Sequence, residues 1–500
     1  MSINLAQKRR TVLATSTFLL GVVVASLQAR GGATPPPRIR HVLLVSIDGL
    51  HALDLADFIK LRPHSNLAQL SAHGVTYTDA STAEPSDSYP GLMSIVTGGS
   101  PNSTGIWYEG TWARELSPPG SNCTAKGVEV VWDSSIDRNK NLFDGGGIDP
   151  AKLPLDPFKG CTPVYPHDYL RVNTIFEVAH AAGMRTAWID KHPGYEMTSG
   201  PSGHGVDDLF TPEISRDHSI AAHNVQVGQE FDDTKVHALL NEINGMDHSG
   251  KRHAGVPALF GVSFQNFTTA QKSCGYADAS GDLSTCEVQA LEHLDQDLGK
   301  FLHALKSQQL DSSTVVIITA KHGDGPIDLR RRRIISDALL TKIVNQTHPG
   351  VLADAYQDGT LASIWLRDQS QTAAVVKTLS QPAVEAELDI RRILSGESLK
   401  MMFNDPLHDP RIPDIVLEPR LGGIYTDADA TFVMEHGGFS DDDKHVALLM
   451  AGPGIVADRG IKTHVETTQI APTILQELGL TPESLKAVRM EGTRILPGLR

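Results

Sequence analysis

Short apolar runs alternate with longer amphipathic segments along most of this 500-residue chain, and this alternation limits its fold more than any other feature. The runs HVLLVSIDG (41–49) and TVVIITA (314–320) are continuously apolar and rich in β-branched residues, as in strands buried on both faces. The segments at 174–183 and 290–310 have the spacing of amphipathic helices. Strands that alternate with helices predict an α/β fold, with a mostly parallel sheet sandwiched by helices.

Two regions interrupt the alternation. Residues from about 107 to 170 are rich in Gly, Pro and Asp and contain two cysteines, and residues from about 345 to 425 mix strand-like and helix-like stretches. We expect both to be insertions that form a cap near the strand ends. The remainder predicts one domain over residues 41–500.

The amino terminus predicts export. A basic cluster at 8–10 precedes a mostly apolar run at 11–26, which is the pattern of a signal peptide over residues 1–29. A Pro-rich linker follows at 30–40. A membrane anchor is the alternative, although the apolar run is short for the roughly 20 residues of a spanning helix. The expected location is secreted or periplasmic, with no stable membrane insertion after cleavage.

The four cysteines, Cys123, Cys161, Cys274 and Cys286, permit three disulfide pairings, and none has a CxxC spacing. We favour the local pairs Cys123–Cys161 and Cys274–Cys286 as staples of two loops. Four free thiols are the alternative if the chain is not exported.

The formal net charge of −15 argues against a nucleic-acid polymer as the partner, because phosphate backbones select basic surfaces. A small anionic substrate is not excluded by this charge, since a local cationic pocket can lie on an acidic protein.

Eight segments share their order and spacing with one large group of hydrolases. They are VSIDG (45–49), NLAQLSAHGVTYTDA (66–80), PSDSYPGLMSIVTG (85–98), SPNSTGI (100–106), TIFEVAHAAGMRTA (174–187), TVVIITAKHG (314–323), EHGGF (435–439) and QIAPTILQELGL (469–480). Through them the chain resembles the alkaline phosphatase superfamily, most closely its type I phosphodiesterase/nucleotide pyrophosphatase branch. The resemblance implies the alkaline phosphatase-like α/β fold.

The resemblance also implies an active site. Asp48 matches the family's metal-binding Asp at a strand end, and His322 and His436 match two of its metal-binding histidines. Ser88 matches the nucleophile, with Ser86 as the alternative. A helix amino terminus favours an alkoxide and a bound phosphate, although Ser88 as a simple helix N-cap is the competing interpretation.

Lys321 departs from the family pattern, which has a metal-binding Asp at this position. An ammonium group there repels the ion that the neighbouring imidazole should hold. Three interpretations stay open: a fixed cation that replaces one metal and stabilises an oxyanion, a base that deprotonates Ser88, or a side chain that points away and pairs with a surface acid.

The second departure lies at 260–272, where the resemblance places another carboxylate and histidine of the metal site. This stretch has neither, and Gln265, Asn266 and Gln271 offer only amide groups. We therefore expect zero or one divalent ion per chain, with Asp324 as an added ligand and with Asn266 and Gln271 as candidate replacements. The sequence does not distinguish zinc, calcium and manganese.

Asp190, Lys191 and His192 follow directly after a predicted strand, where a substrate-facing loop would lie. They are candidates to replace the missing ligands or to contact the substrate. The alternative is a solvated loop with no part in the site.

Together these residues predict an exported hydrolase of a small phosphate-ester substrate, with phosphodiester or nucleotide pyrophosphate bonds as the expected target. Ser88 would form a covalent intermediate, helped by a metal or by Lys321. The alternatives are a sulfatase or phosphonate hydrolase of the same fold, although SDSYPG lacks a CxPxR-type context, and a catalytically silent binding protein. The sequence does not indicate the oligomeric state.

Overall fold

The computed structural model describes residues 39–215, 224–426, 428 and 430–500, without the side chain of residue 337. The predicted signal peptide and nearly all of the linker lie outside these residues. None of the described helices is both long and apolar enough to cross a membrane.

The strands are, in chain order, β1 (His41–Ile47), β2 (Gly74–Ser81), β3 (Gly110–Ala113), β4 (Val128–Val131), β5 (Leu155–Asp156), β6 (Thr162–Pro163), β7 (Thr186–Ile189), β8 (Asp208–Phe210), β9 (Leu259–Phe264), β10 (Thr314–Thr319), β11 (Gly325–Pro326), β12 (Arg333–Ile335), β13 (Leu352–Asp358), β14 (Leu361–Leu366), β15 (Ile390–Ser395), β16 (Ile415–Pro419), β17 (Gly423–Tyr425), β18 (Met434–Glu435), β19 (His445–Ala451), β20 (Arg459–Ile461) and β21 (Val465–Glu466).

The α-helices are Ala52–Leu61, Asn66–Ala72, Ser88–Thr97, Pro101–Thr104, Pro166–Tyr169, Ile175–Ala181, Val225–Ile243, Asn266–Cys274, Thr285–Ser307, Asp337–Thr347, Thr372–Leu379, Pro382–Glu387, Glu397–Lys400, Asp441–Lys444, Ile470–Glu477 and Lys486–Glu491. Short 3₁₀ helices occur at Ser134–Ile136, Pro150–Lys152, Pro193–Ser199, Asp311–Ser313, Gln369–Gln371, Thr467–Gln469 and Pro482–Ser484.

A central sheet has the order β20-β2-β19-β10-β1-β9-β7-β8, with β21 also paired to β2. Strands β10, β1, β9, β7 and β8 run parallel, whereas β19 is antiparallel to both of its neighbours. This confirms the predicted mostly parallel sheet with helices around it.

Strand β1 shows why the apolar runs are continuous. Val42 and Leu44 pack in one hydrophobic core, and Leu43, Val45 and Ile47 pack in the other. Because successive side chains of a strand point to opposite faces, both faces of β1 are buried, and this explains the unbroken apolar run from Val42 to Val45.

Both interrupting regions carry strands outside the central sheet. β3 pairs with β4 and β5 with β6 in the first region, and β13-β14-β16-β15 form a separate antiparallel sheet in the second. The two regions meet through Trp107, which packs in one cluster with Trp365 and donates a hydrogen bond to Ser363 at 3.0 Å.

Two disulfides join Cys123 to Cys161 and Cys274 to Cys286, which confirms the favoured pairing. The first lies across the loop-rich region and the second links the ends of two neighbouring helices.

The helix Ser88–Thr97 lies against the end of β10 at very short range. A Cβ atom on Gly91 would lie 2.0 Å from the backbone carbonyl oxygen of Lys321. Only glycine fits this position, because a backbone atom cannot move aside as a flexible side chain does. This contact places the start of the helix beside Lys321 and His322.

We expect the Gly91→Ala variant to lose about 1–3 kcal/mol of unfolding free energy, because the clash outweighs the roughly 1 kcal/mol of helix propensity that alanine adds. The measurement is chemical denaturation. Gly460→Ala is the control, because a Cβ atom there meets nothing within 4 Å. Equal effects of the two substitutions would contradict the close-contact explanation.

The disulfides close loops of different length, with sequence separations of 38 and 12 residues. Replacing both cysteines of the first pair by serine should cost about 4 kcal/mol of unfolding free energy, and the same change in the second pair about 3 kcal/mol. Denaturation of the two double variants tests this order, and a larger loss for the Cys274–Cys286 pair would contradict it.

Candidate active site

Four neighbouring parallel strands end at the same edge of the central sheet and deliver most of the predicted site residues. In sheet order the strands are β7, β9, β1 and β10. The site residues come just after their ends: Asp190–His192 after β7, Gln265 after β9, Asp48 after β1, and Lys321–His322 after β10. Ligands of α/β proteins bind outside the carboxyl ends of parallel strands. The topology therefore brings together residues that are far apart in the sequence.

Ser88 is the first residue of the helix Ser88–Thr97, and its N-cap is Asp87, whose carboxylate accepts a hydrogen bond from the Tyr89 backbone N–H at 3.2 Å. The simple N-cap interpretation of Ser88 is therefore wrong. Its Oγ atom lies 3.1 Å from His322 Nε2 and 3.4 Å from Lys191 Nζ. The hydroxyl group is thus held between an imidazole and an ammonium at a helix amino terminus.

Asp48 is completely buried, and its Oδ2 atom faces two ammonium groups. Lys321 Nζ lies 3.2 Å away and Lys191 Nζ 3.6 Å away, and Gln265 donates a hydrogen bond to the same oxygen at 3.4 Å. Burial opposes ionisation, but Lys321 and then Lys191 hold the pKa of Asp48 well below its ordinary value. Asp48 is therefore a carboxylate paired with lysines.

Lys321 is also completely buried, so it does not point to a surface acid. Its ammonium bridges Asp48 and Asp190, the latter at 3.4 Å, and lies 4.6 Å from the centre of the Tyr195 ring. Burial lowers the pKa of Lys321, but Asp190 and Asp48 outweigh this and raise it above its ordinary value. This shift favours the charged ammonium, the form that a fixed cation requires, over the neutral amine that a base requires.

His322 and His436 stack with ring centres 3.7 Å apart. Asp324 accepts a hydrogen bond from His436 Nδ1 at 2.8 Å, and its same oxygen lies 3.8 Å from His322 Nδ1. Burial lowers the pKa of both rings well below its ordinary value, so both are neutral, the form that binds metal. Thr268 donates a hydrogen bond to the other oxygen of Asp324.

His322, Asp324 and His436 have donor atoms within 4.8 Å of one another, and so could hold a metal ion. Two neutral imidazoles and a carboxylate form a common three-residue ligand set for zinc. A second such group in the described part of the chain is Asp233, His293 and Asp297, which lies on the helices Val225–Ile243 and Thr285–Ser307.

Ser88, Lys191, Gln265, His322 and His436 line a cavity of about 190 Å³. One part of its wall is cationic or imidazole-bearing, and another part is acidic. The lining residues are Asp87, Ser88, Glu109, Lys191, His192, Ile214, Ser215, Gln265, Thr268, Thr269, Lys272, His322, Asp358 and His436.

The acidic part of the wall includes Asp87 and Glu109. Burial raises the pKa of Asp87 to about 6, and burial followed by the charge of Asp87 raises the pKa of Glu109 well above its ordinary value. This shift favours the protonated form of Glu109, which is the form that could donate a hydrogen bond to a ligand in the cavity.

Some predicted residues lie beside the cavity rather than in it. Gln271 donates hydrogen bonds to the Gly49 carbonyl oxygen at 3.0 Å and to Asp54 at 3.2 Å, behind the strand ends. Asn266 begins a helix, and its buried amide does not line the cavity. His192 does line it, and its ring is paired with Glu213 at 2.7 Å.

Several cavity residues had no individual signal in the sequence. Glu109 and Asp358 lie in the two interrupting regions, and only the meeting of these regions brings them to the cavity. Asp87 could have been found from its place directly before Ser88, and Lys272 from its place within the stretch 260–272.

A further buried pair, Asp232 and Lys235, lies behind Gln265, with the two charged groups 2.6 Å apart. Lys235 also donates hydrogen bonds to the Ser263 carbonyl oxygen at 2.6 Å and to the Gln265 side chain. In the sequence this pair resembles any solvated i,i+3 pair on a helix. Only the structure shows that the pair is buried and that Lys235 orients Gln265 toward Asp48.

Known structures share this fold. Murine ectonucleotide pyrophosphatase/phosphodiesterase 5 aligns with a TM-score of 0.58 at 15% identity, over 88% of this chain and 96% of that one. The human protein of the same name gives 0.57 at 17% identity, over 88% and 95%. An inactive variant of the murine protein, in complex with AMP, gives 0.58 at 16% identity, over 89% and 96%.

At the level of sequence, no curated protein matches the chain. Residues 42–439 match the profile of the type I phosphodiesterase/nucleotide pyrophosphatase family. This match spans the strand ends, Ser88 and both stacked histidines. The chain therefore belongs to the type I phosphodiesterase/nucleotide pyrophosphatase family.

Proposed function

We propose that this chain is an exported phosphodiesterase that cleaves a small phosphate diester or a nucleotide pyrophosphate through Ser88. The observation that carries the proposal is the position of Ser88 Oγ on the cavity wall, between His322 Nε2 at 3.1 Å and Lys191 Nζ at 3.4 Å. The helix amino terminus adds partial positive charge where a phosphate would bind.

The proposed reaction has two steps. Ser88 Oγ attacks phosphorus in line with the leaving oxygen, the Ser88–phosphorus bond forms, and the ester bond opposite breaks. In net balance the hydroxyl proton ends on the departing alcohol. Water then cleaves the covalent intermediate, which restores the Ser88 hydroxyl and releases the phosphate product.

The hydrogen bond to His322 keeps the Ser88 oxygen facing the cavity throughout. Glu109 also lines the cavity, and its raised pKa favours the protonated form that could donate a hydrogen bond to an oxygen of the substrate. The cationic, imidazole and carboxyl side chains of the wall would together bind and orient the ester.

The donor set fits one divalent ion of the family's metal chemistry. His322, Asp324 and His436 would hold it, because one donor atom of each lies within 4.8 Å of the others. When bound, such an ion supplies Lewis-acid stabilisation of charge on the transferring group. Binding at these atoms requires loss of the protons that they carry.

The Asp48 position does not fit a second ion. Its Oδ1 atom is buried without a hydrogen-bond partner among the described residues, so one donor or ligand is unaccounted for. A dication there would face two ammonium groups, 3.2 and 3.6 Å from the other oxygen of the same carboxylate. A water molecule bound there would donate a hydrogen bond to this oxygen without such repulsion.

The substrate is proposed to be small and anionic. The murine relative binds AMP in its inactive variant, and a nucleotide or a similar phosphate ester is consistent with the cationic wall of this cavity. The two disulfides support an extracellular or periplasmic location, because they persist in oxidising compartments.

We expect the Ser88→Ala variant to lose roughly 10³-fold or more in kcat on bis(4-nitrophenyl) phosphate, because the covalent step requires its oxygen. Ser86→Ala is the matched control: its hydroxyl donates to the Asp443 backbone carbonyl and does not line the cavity. A loss confined to Ser86→Ala would show that the nucleophile is misassigned. No hydrolysis of phosphomono- or diesters by the wild-type protein would overturn the proposed function.

The Lys321→Asp variant tests the metal count. It buries a third carboxylate with Asp48 and Asp190 and removes their cation, so the unfolding free energy should fall by roughly 3–5 kcal/mol. Added zinc should recover part of the loss, because a dication can now bind there. Calorimetry measures the stability, and elemental analysis measures the metal.

Lys321→Met is the control, because it removes the cation without adding a ligand, and zinc should not restore its stability. The wild-type chain should hold no more than one ion. Two ions in the wild type, or no gain of metal in Lys321→Asp, would show that the ammonium does not stand in place of a metal.

A further inference from the structure

Two lysines from different strand ends meet at one carboxylate oxygen. Lys321 follows β10 and Lys191 follows β7, and both reach Asp48 Oδ2, at 3.2 and 3.6 Å. The family resemblance draws attention to Lys321 alone, because it replaces an expected ligand. The surroundings of the two ammonium groups nevertheless differ, and the difference separates their roles.

Lys321 is closed off from the cavity. Its side chain is 0% exposed, its ammonium is held by Asp48 and Asp190, and Tyr195 covers it. It is not among the residues that line the cavity. A substrate in the cavity therefore does not reach this ammonium, and Lys321 acts only through the groups that it holds.

Lys191 is open to the cavity. It lines the wall, its side chain is 16% exposed, and its Nζ atom lies 3.4 Å from Ser88 Oγ. Asp48 holds this ammonium from one side only, at a distance longer than an ordinary hydrogen bond. The ammonium can therefore donate to a second oxygen in the cavity.

The backbone around Lys191 is fixed by the same network. The Lys191 N–H donates to Asp190 Oδ1 at 2.9 Å, and the indole N–H of Trp188 donates to the other oxygen of Asp190 at 3.2 Å. Lys321 completes this arrangement from β10 at 3.4 Å. Asp190 and Lys321 therefore direct the Lys191 side chain toward Ser88.

We propose that Lys191 is a catalytic residue, whose ammonium donates to Ser88 Oγ and to a non-bridging oxygen of the phosphoryl group, where a metal ion at Asp48 would otherwise lie. Asp48, Asp190 and Lys321 are positioning residues for it. The catalytic part of this inference rests on the proposed function, whereas the binding of an anion by Lys191 does not depend on it. A fixed cation at the point where negative charge develops stabilises the transition state without solvent reorganisation.

The role is electrostatic, and Lys191 neither gains nor loses a proton in it. The ammonium attracts the phosphoryl oxygens when the substrate binds. It attracts them more strongly in the transition state, where they carry more negative charge. Removal of the charge should therefore affect both anion binding and turnover.

The test compares Lys191→Met, Lys191→Arg and Lys300→Met. Lys300 is the matched control: its ammonium pairs with a carboxylate at 2.7 Å, but it lies half-exposed on the helix Thr285–Ser307. For each variant we would measure kcat and KM on bis(4-nitrophenyl) phosphate, the affinity for inorganic phosphate by calorimetry, the metal content and the melting temperature.

We expect Lys191→Met to lower kcat by roughly 10²- to 10³-fold. Its phosphate affinity should fall roughly tenfold or more, as for the loss of a charge-assisted hydrogen bond. Metal content should not change. Lys191→Arg should keep most of the phosphate affinity because it keeps the charge, and Lys300→Met should match the wild type in kcat, KM, phosphate affinity and metal content.

Unchanged phosphate affinity in Lys191→Met, or an equal loss in Lys191→Met and Lys191→Arg, would overturn the proposal and assign Lys191 a structural role. A gain of a second metal ion in Lys191→Met with full activity would overturn it too. If the wild type hydrolyses no ester, the proposed function fails, and the phosphate measurements still decide whether Lys191 binds the anion. If Lys191→Met does not fold, the Lys191→Gln variant is measured in its place.

Discussion

The buried ion pairs among Asp48, Asp190 and Lys321 are the interaction on which the rest of the site depends. They connect the ends of β1, β7 and β10 in a region with no exposed surface. Two buried carboxylates without a cation would repel each other and lose their hydration, which is strongly unfavourable. The charged lysine therefore allows the strand ends to keep acids at this position without an ion.

The same network divides the site into two parts. On the Asp48 side, the ammonium groups of Lys321 and Lys191 supply the positive charge. On the other side, His322 and His436 are neutral and stack beside Asp324, a set that can hold one dication. Ser88 lines the cavity, so the proposed nucleophile lies near fixed protein charge and near the candidate ion site.

Much of the fold could be predicted from the sequence because its signals are local. Continuous apolar runs marked β1 and β10 as buried strands, and short spacing suggested both disulfides, Cys123–Cys161 and Cys274–Cys286. The site was harder to predict. Gln271 lies in the right stretch, yet its side chain turns toward Asp54 behind the strands. A shift of one or two positions along a helix changes the face on which a residue lies, and the sequence alone did not show on which face Gln271 lies.

The sequence by itself determined which chemical groups follow each strand: Asp48 after β1, Lys321 and His322 after β10, and Lys191 after β7. The resemblance to the family also implied that a cation stands at position 321, where a metal-binding carboxylate was expected. Only the tertiary structure decided that Lys321 is buried away from the cavity, whereas the ammonium of Lys191 lies within reach of Ser88. The physical reason is that exposure and distance depend on strand order and on how the helix Ser88–Thr97 packs through Gly91 against β10, and these contacts join residues more than a hundred positions apart.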